Sequence, residues 1–139
     1  FAYLGFPFYD VATLPLLRHE GYTEYDPIKV DRISPDDAPS IRDGGARATL
    51  RGIEFYNFGA FFSRAYREND YIWGRLHGAE RMIDLVCSTL DGGMPESECV
   101  QFKRAAFEAN IDEELAAGRC RHGLLNRLKA EIAAKFAQV

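Results

Sequence analysis

An apolar stripe in the middle of the chain constrains its fold more than any other feature. Between Asn69 and Leu90, the residues Ile72, Leu76, Ala79, Ile83, Val86 and Leu90 recur at intervals of three and four. A side chain returning every 3.6 residues stays on one face of an α-helix, so this spacing predicts a long helix with a buried side. Such a helix needs neighbours to cover its stripe, and the downstream sequence offers two. Pro95 suits the first turn of a helix whose inner side is marked by Val100, Phe107, Ile111 and Leu115 and which Gly118 ends. A last helix is expected over His122 to Phe136, with Leu124, Leu125, Leu128 and Ile132 inward. Glu96, Glu98, Glu108, Asp112, Glu113 and Glu114 in the first of these face Arg119, Arg121, Arg127, Lys129 and Lys135 around the second. The short link at Gly118 makes the two antiparallel neighbours of opposite charge.

Upstream, Asn57 is read as the cap of a helix reaching about Arg67, and Asn69 or Asp70 as the cap of the long helix, which Gly92 and Gly93 stop. Asp10 to His19 reads as a short helix through Val11, Leu14 and Leu17, with Pro15 marking its start or a kink. Residues 27–34 alternate Ile28 and Val30 with Lys29 and Asp31, the pattern of a half-buried strand that Pro35 ends. Residues 35–46 carry turn chemistry, and 47–55, through Ala48, Leu50 and Ile53, read as a second, weaker strand. The expected fold class is mainly α with some α+β character: a bundle of four to five helices with a short two-stranded β element near the N-terminus. The expected division is an N-terminal part, 1–56, which completes an upstream domain, and a helical bundle, 57–139.

Composition narrows the function classes. A length of 139 residues fits one domain, and a net charge of −4 argues against nucleic acid, which needs clustered Lys and Arg. Cys87, Cys99 and Cys120 are odd in number and lack a Cys-x-x-Cys pairing, so they read as buried thiols of a reducing, cytoplasmic compartment. No apolar run is long enough to span a bilayer. The abrupt start at Phe1-Ala2-Tyr3-Leu4 reads as a cut edge. Contact with a membrane surface is the alternative, through Phe1, Phe6, Phe8 and Tyr9 or through the basic last helix.

Residues able to do chemistry do not cluster. None of Ser34, Ser40, Ser63, Ser88 and Ser97 has the flanking glycines of a nucleophile elbow, and Ser63 and Ser88 fall mid-helix. His19, His77 and His122 lack the companions of a metal site; Cys120-Arg121-His122 comes nearest, but ligands two apart on a helix face different sides. Cys120, between two arginines, reads more simply as a small buried hydrophobe than as a reactive thiol. No catalytic residue, metal site or cofactor is therefore expected. The one candidate site is an interaction surface of Tyr71, Trp73, Arg75, His77 and Arg81, because Trp with nearby Arg is enriched at interface centres; the other reading places Trp73 in the core and the arginines in solvent.

Residues 68–84, Glu-Asn-Asp-Tyr-Ile-Trp-Gly-Arg-Leu-His-Gly-Ala-Glu-Arg-Met-Ile-Asp, resemble a block in large bacterial patatin-like proteins, in the uncharacterised region after their phospholipase domain. Three shorter pieces resemble it too: Tyr3-Leu4-Gly5-Phe6-Pro7 with Asp10, Lys29-Val30-Asp31-Arg32-Ile33-Ser34-Pro35, and Gly59-Ala60-Phe61-Phe62. Together they take in most of residues 1–84; the last two helices match only in general character. The resemblance implies a bacterial parent with an α/β patatin fold and a Ser-Asp dyad for lipid acyl-ester hydrolysis, both motifs lying upstream of Phe1. Asp-Gly-Gly, a form of that family's aspartate motif, occurs at Asp43-Gly44-Gly45 and Asp91-Gly92-Gly93, but these read as a turn and a helix stop. The chain is accordingly expected to be a non-catalytic accessory module that packs on or regulates the upstream patatin domain. A peripheral membrane-binding module is the alternative, and an independent enzyme the weakest reading.

Overall fold

The computed structural model describes residues 5, 8, 9, 11–13, 30–90 and 92–137. The chain divides into two compact units, Phe1–Val30 and Asp31–Val139. In the first, residues 8, 9 and 11–13 are helical, and the Thr13 hydroxyl donates to the Tyr9 carbonyl at 2.8 Å. Residues 10 and 14–19 of the helix expected there lie outside the described residues.

The second unit starts with a 3-10 turn, Pro35–Asp37, followed by α1 (Gly45–Thr49), α2 (Glu54–Asn57), α3 (Gly59–Phe62), α4 (Arg64–Thr89), α5 (Glu96–Ala117) and α6 (His122–Phe136). Consecutive long helices pack on one another, α4 on α5 and α5 on α6. Their shared core holds Ile72, Trp73 and Leu76 from α4, Phe107 and Ile111 from α5, and Leu124, Leu125, Leu128, Ile132 and Phe136 from α6. Ile41 joins it from the segment before α1, so residues 31–56 pack with the bundle instead of standing apart from it. Of the apolar stripe, Ile72 and Leu76 are fully buried, whereas Val86 and Leu90, near the far end of α4, are exposed.

The described residues contain helices and no strand, which corrects the β element. Residues 30–34 are irregular, and 27–29 lie outside the described residues. Residues 47–55 fold as the end of α1, a turn and the start of α2. Ala46, Arg47 and Ala48 favour helix, and the Asp36 carboxylate accepts the orphan Ala46 N–H at 3.0 Å. The spacing of Ala48, Leu50 and Ile53 suits a strand and a tight helical turn equally well.

The start of the long helix is also corrected. Ser63 is its cap, accepting the Tyr66 N–H at 3.3 Å, and α4 then runs unbroken for 26 residues past Asn69 and Asp70. Those two side chains cap another part of the chain: Asn69 donates to the Thr49 carbonyl at 2.8 Å, and Asp70 accepts the N–H groups of Arg51 and Gly52 at 2.7 and 2.6 Å. The helix expected from a cap at Asn57 to about Arg67 is corrected too: Asn57 ends α2 with φ +72°, α3 covers Gly59–Phe62, and Ser63 breaks the helical run before α4. The stops of α4 and α5 agree with the sequence. Gly118 closes α5 at φ +64°, with its N–H on the Glu114 carbonyl.

Cys87 and Cys99 form a disulfide, their Cα atoms 6.6 Å apart, which corrects the reading of three thiols. The antiparallel turn between α4 and α5 places them side by side, a proximity their 12-residue separation does not announce. Cys120 is the buried thiol expected, and burial pushes its pKa up, the opposite of an activated nucleophile.

Polar groups in the core are mostly paired. Buried Glu80 accepts the Ser40 hydroxyl at 2.6 Å and the Ser40 N–H at 3.1 Å, with Lys103 4.0 Å away, and so pins the segment before α1 to α4 and α5. Burial still raises the pKa of its carboxyl. His77 differs: it is 3% exposed, stacks on Trp73 with ring centroids 5.1 Å apart, and has no hydrogen-bond partner on either ring nitrogen among the described residues. Burial lowers its pKa and keeps the ring neutral.

Candidate functional site

The most unusual feature lies between Arg51 and Arg67, at the entry to α4. Phe55, Tyr56 and Asn57 take φ values of +52°, +57° and +72° in succession. The left-handed region costs an L-residue roughly 1–2 kcal/mol, and none of these three is glycine. Such a run persists only where its surroundings fix it, and they do. Asp70 holds the backbone at Arg51 and Gly52. The Tyr66 hydroxyl donates to Glu54 at 2.7 Å, and the Arg51 guanidinium meets the same carboxylate at 3.0 Å. Together they hold the Glu54 carboxyl below its usual pKa, with the tyrosine contributing most. Arg67 donates to the carbonyls of Ala60 and Phe61 at 2.8 and 3.2 Å. Buried Gly59 allows a close backbone approach, since a Cβ there would stand 2.8 Å from the Arg51 carbonyl oxygen.

The fixed turn carries five large aromatic rings into solvent: Phe55, Tyr56, Phe58, Phe61 and Phe62 are between 56% and 95% exposed. Phe58 and Phe61 meet with centroids 5.8 Å apart. This concentration of exposed apolar surface within eight residues goes well beyond the scattered hydrophobes of an ordinary surface. It offers no acid, base or nucleophile; it offers contact area.

Backbone strain at the turn is testable. Tyr56, 95% exposed, loses almost no packing on substitution, and glycine takes the left-handed conformation without a Cβ clash. Tyr56→Gly is therefore expected to stabilise the chain by up to about 1 kcal/mol, after subtracting glycine's extra backbone entropy. Urea denaturation checks this; a loss of stability would mean that the left-handed run carries no strain.

The five residues expected to form an interaction surface are not brought together on one. Trp73 and His77 lie in the core, 1% and 3% exposed. Tyr71 and Arg75 turn toward α5, where the Tyr71 hydroxyl donates to Glu114 at 2.9 Å and Arg75 pairs with Glu113 at 2.6 Å and with Glu114. Arg81 binds Asp84 at 3.0 Å, Asp31 at 3.4 Å and the Arg32 carbonyl at 3.2 Å. Among the described residues there is no group of three or more His, Cys, Asp or Glu side chains placed to hold a metal ion. No described helix is long and apolar enough to cross a membrane.

Comparison with known proteins supplies a family. Residues 2–138 match the family described as Protein of unknown function (DUF3376). The chain belongs to that family. This DUF3376 chain is also 42% identical over 41 residues to the Uncharacterized membrane protein Rv3479 of Mycobacterium tuberculosis. That stretch is 30% of the chain and 4% of the mycobacterial protein, so the chain spans a small fraction of the relative's length. No solved structure matches.

The aromatic turn of this DUF3376 chain went unread in the sequence because its letters suggest the reverse of its exposure. Phe-x-x-Phe-Phe spacing before an amphipathic helix looks like core. The available signal was the excess of Phe and Tyr, ten and seven residues, over what one bundle of this length needs to bury.

Proposed function

We propose that this domain is a non-catalytic interaction module of a larger patatin-like lipid acyl hydrolase, and that its aromatic turn docks on the part of the parent that carries catalysis. The observation that carries the reading is the turn itself: five exposed rings on a backbone held in a costly conformation. Fully burying a phenylalanine side chain is worth roughly 1.5–3 kcal/mol, so a partner surface covering the turn recovers the strain and leaves a surplus for association. The patatin-like parent is supported by the resemblance of residues 68–84 and the shorter blocks.

Charge favours a protein partner over a bilayer. An interfacial anchor gains from uncommitted cations around its apolar residues. Here Arg51 pairs with Glu54, Arg64 with Glu68 at 2.7 Å, and Arg67 is occupied by backbone carbonyls. A peripheral membrane contact is the second reading, supported by the same rings and by the mycobacterial relative's description as a membrane protein.

The double substitution Phe61→Ser/Phe62→Ser, at positions 75% and 83% exposed, leaves the bundle folded on this reading. In the full-length parent it is expected to separate the module from the catalytic part, seen as new protease cleavage between them and altered esterase activity. Unchanged proteolysis and activity would refute protein docking. Loss of vesicle co-sedimentation with neither of those changes would favour the membrane reading.

A further inference from the structure

A second feature lies on the same unit, between α4 and α6, and does not depend on the aromatic turn. A cleft of about 480 Å³ opens there, lined by Arg51, Tyr66, Asn69, Arg121, Gly123 and Arg127 among others, with no carboxylate in its wall. Three arginines line one cavity in a chain of net charge −4.

Arg51 and Arg121 are ion-paired but keep free donors. Arg127 is exposed and makes no ion pair or hydrogen bond among the described residues. Arg121 uses its Nε on Glu68 at 3.1 Å, which leaves its terminal nitrogens available, and Arg51 uses one Nη on Glu54. Asp70 spends its carboxylate on backbone N–H groups and does not line the cleft. Counting Arg64, which shares Glu68 with Arg121, four arginines stand against three carboxylates here, Glu54, Glu68 and Asp70. Gly123 adds the second N–H of α6, one of those that a helix start leaves without an internal partner.

We propose that this cleft binds a phosphate ester through Arg51, Arg121 and Arg127. A phosphate monoester carries −1.5 to −2 charges near neutral pH and three acceptor oxygens, which suits a net positive, carboxylate-free wall with forked guanidinium donors. A smaller cavity of about 220 Å³ shares Arg51, Asn69, Leu124 and Arg127 with the first and adds Arg42, whose guanidinium is paired with Glu131 in the same wall.

Titration calorimetry of the full chain at fixed ionic strength tests the assignment, with inorganic phosphate and glycerol 3-phosphate as probes and acetate as the control. Saturable binding of a phosphate probe is expected, with acetate much weaker. Arg127→Ala should weaken the phosphate probe at least tenfold while leaving the melting temperature of the ligand-free chain unchanged. Vesicles of phosphatidic acid in phosphatidylcholine form a second arm. Binding by vesicles alone, lost in Arg127→Ala, identifies a lipid headgroup; equal or tighter binding of glycerol 3-phosphate identifies a soluble ester. No saturable binding in either arm, equal affinity for acetate, or an Arg127→Ala chain that binds like the parent would overturn the proposal.

Discussion

Replacing Trp73 with alanine is expected to remove about 3–5 kcal/mol of stability, the range for truncating a fully buried large aromatic side chain. Trp73 is 1% exposed at the point where three parts of the unit meet. The Arg42 guanidinium lies 4.8 Å from its ring centroid, itself fixed by Glu131 of α6 at 2.6 and 2.8 Å and by the Ala48 carbonyl of α1 at 3.0 Å. His77 stacks against the same indole. Alanine at 73 leaves a cavity, ends the cation–π contact, worth about 0.5–1 kcal/mol, and loosens the segment before α1. Trp73 is the chain's one tryptophan, so the comparison is made by circular dichroism in urea. Trp73→Phe keeps most of the buried ring and should lose clearly less. A loss under 1 kcal/mol for the alanine variant would mean the core does not close over this residue.

Glu114→Ala is expected to cost about 3 kcal/mol, the lower end of the range for breaking a buried ion pair. Glu114 is fully buried, yet it accepts from Arg119 at 2.7 and 2.9 Å, from the Tyr71 hydroxyl and from Arg75. One carboxylate thus joins α4, α5 and the link to α6. The lower end applies because the Arg119 side chain is 48% exposed and the Arg75 side chain 26%, so water takes up part of what they lose. Hydrogen bonds from Arg119, ahead of those from Tyr71 and Arg75, hold the Glu114 carboxyl at about 2, against 4.5 for the free group. A carboxyl with a depressed folded pKa contributes stability that is full above its unfolded value and lost as pH falls toward the folded one. The chain should therefore weaken between about pH 4.5 and 2, and Glu114→Gln should flatten that limb. Glu54, Glu68 and Glu113 shift in the same direction and leave a residual slope. Glu80 works oppositely: its pKa is raised, so its contribution is present below 4.5 and lost as pH rises. An acid limb identical in Glu114→Gln and the parent chain would remove Glu114 from this role.

The three long helices were legible because leucine and isoleucine spacing, together with glycine and proline punctuation, are local signals. The last helix matches its expected limits, His122–Phe136, for that reason. What the sequence hid is set by partners distant along the chain. Asn69 and Asp70 look like caps for the helix they belong to and instead cap residues 49–52. Between the two readings of Trp73, interface or core, the structure takes the core: the buried side of α4 is wide enough to hold Trp73 beside Ile72 and Leu76, with His77 against it. The left-handed run at 55–57 contains no glycine to announce it. The arginine-lined cleft draws on residues 51, 121 and 127, which nothing in their spacing connects.

Hydrogen–deuterium exchange on the full-length parent and on this module alone, followed residue by residue across 51–67, tests docking by the aromatic turn most directly. Slower exchange at Phe55 to Phe62 in the full-length protein, with α5 and α6 exchanging equally in both, is the predicted result. Identical exchange across the turn in the two proteins would contradict it.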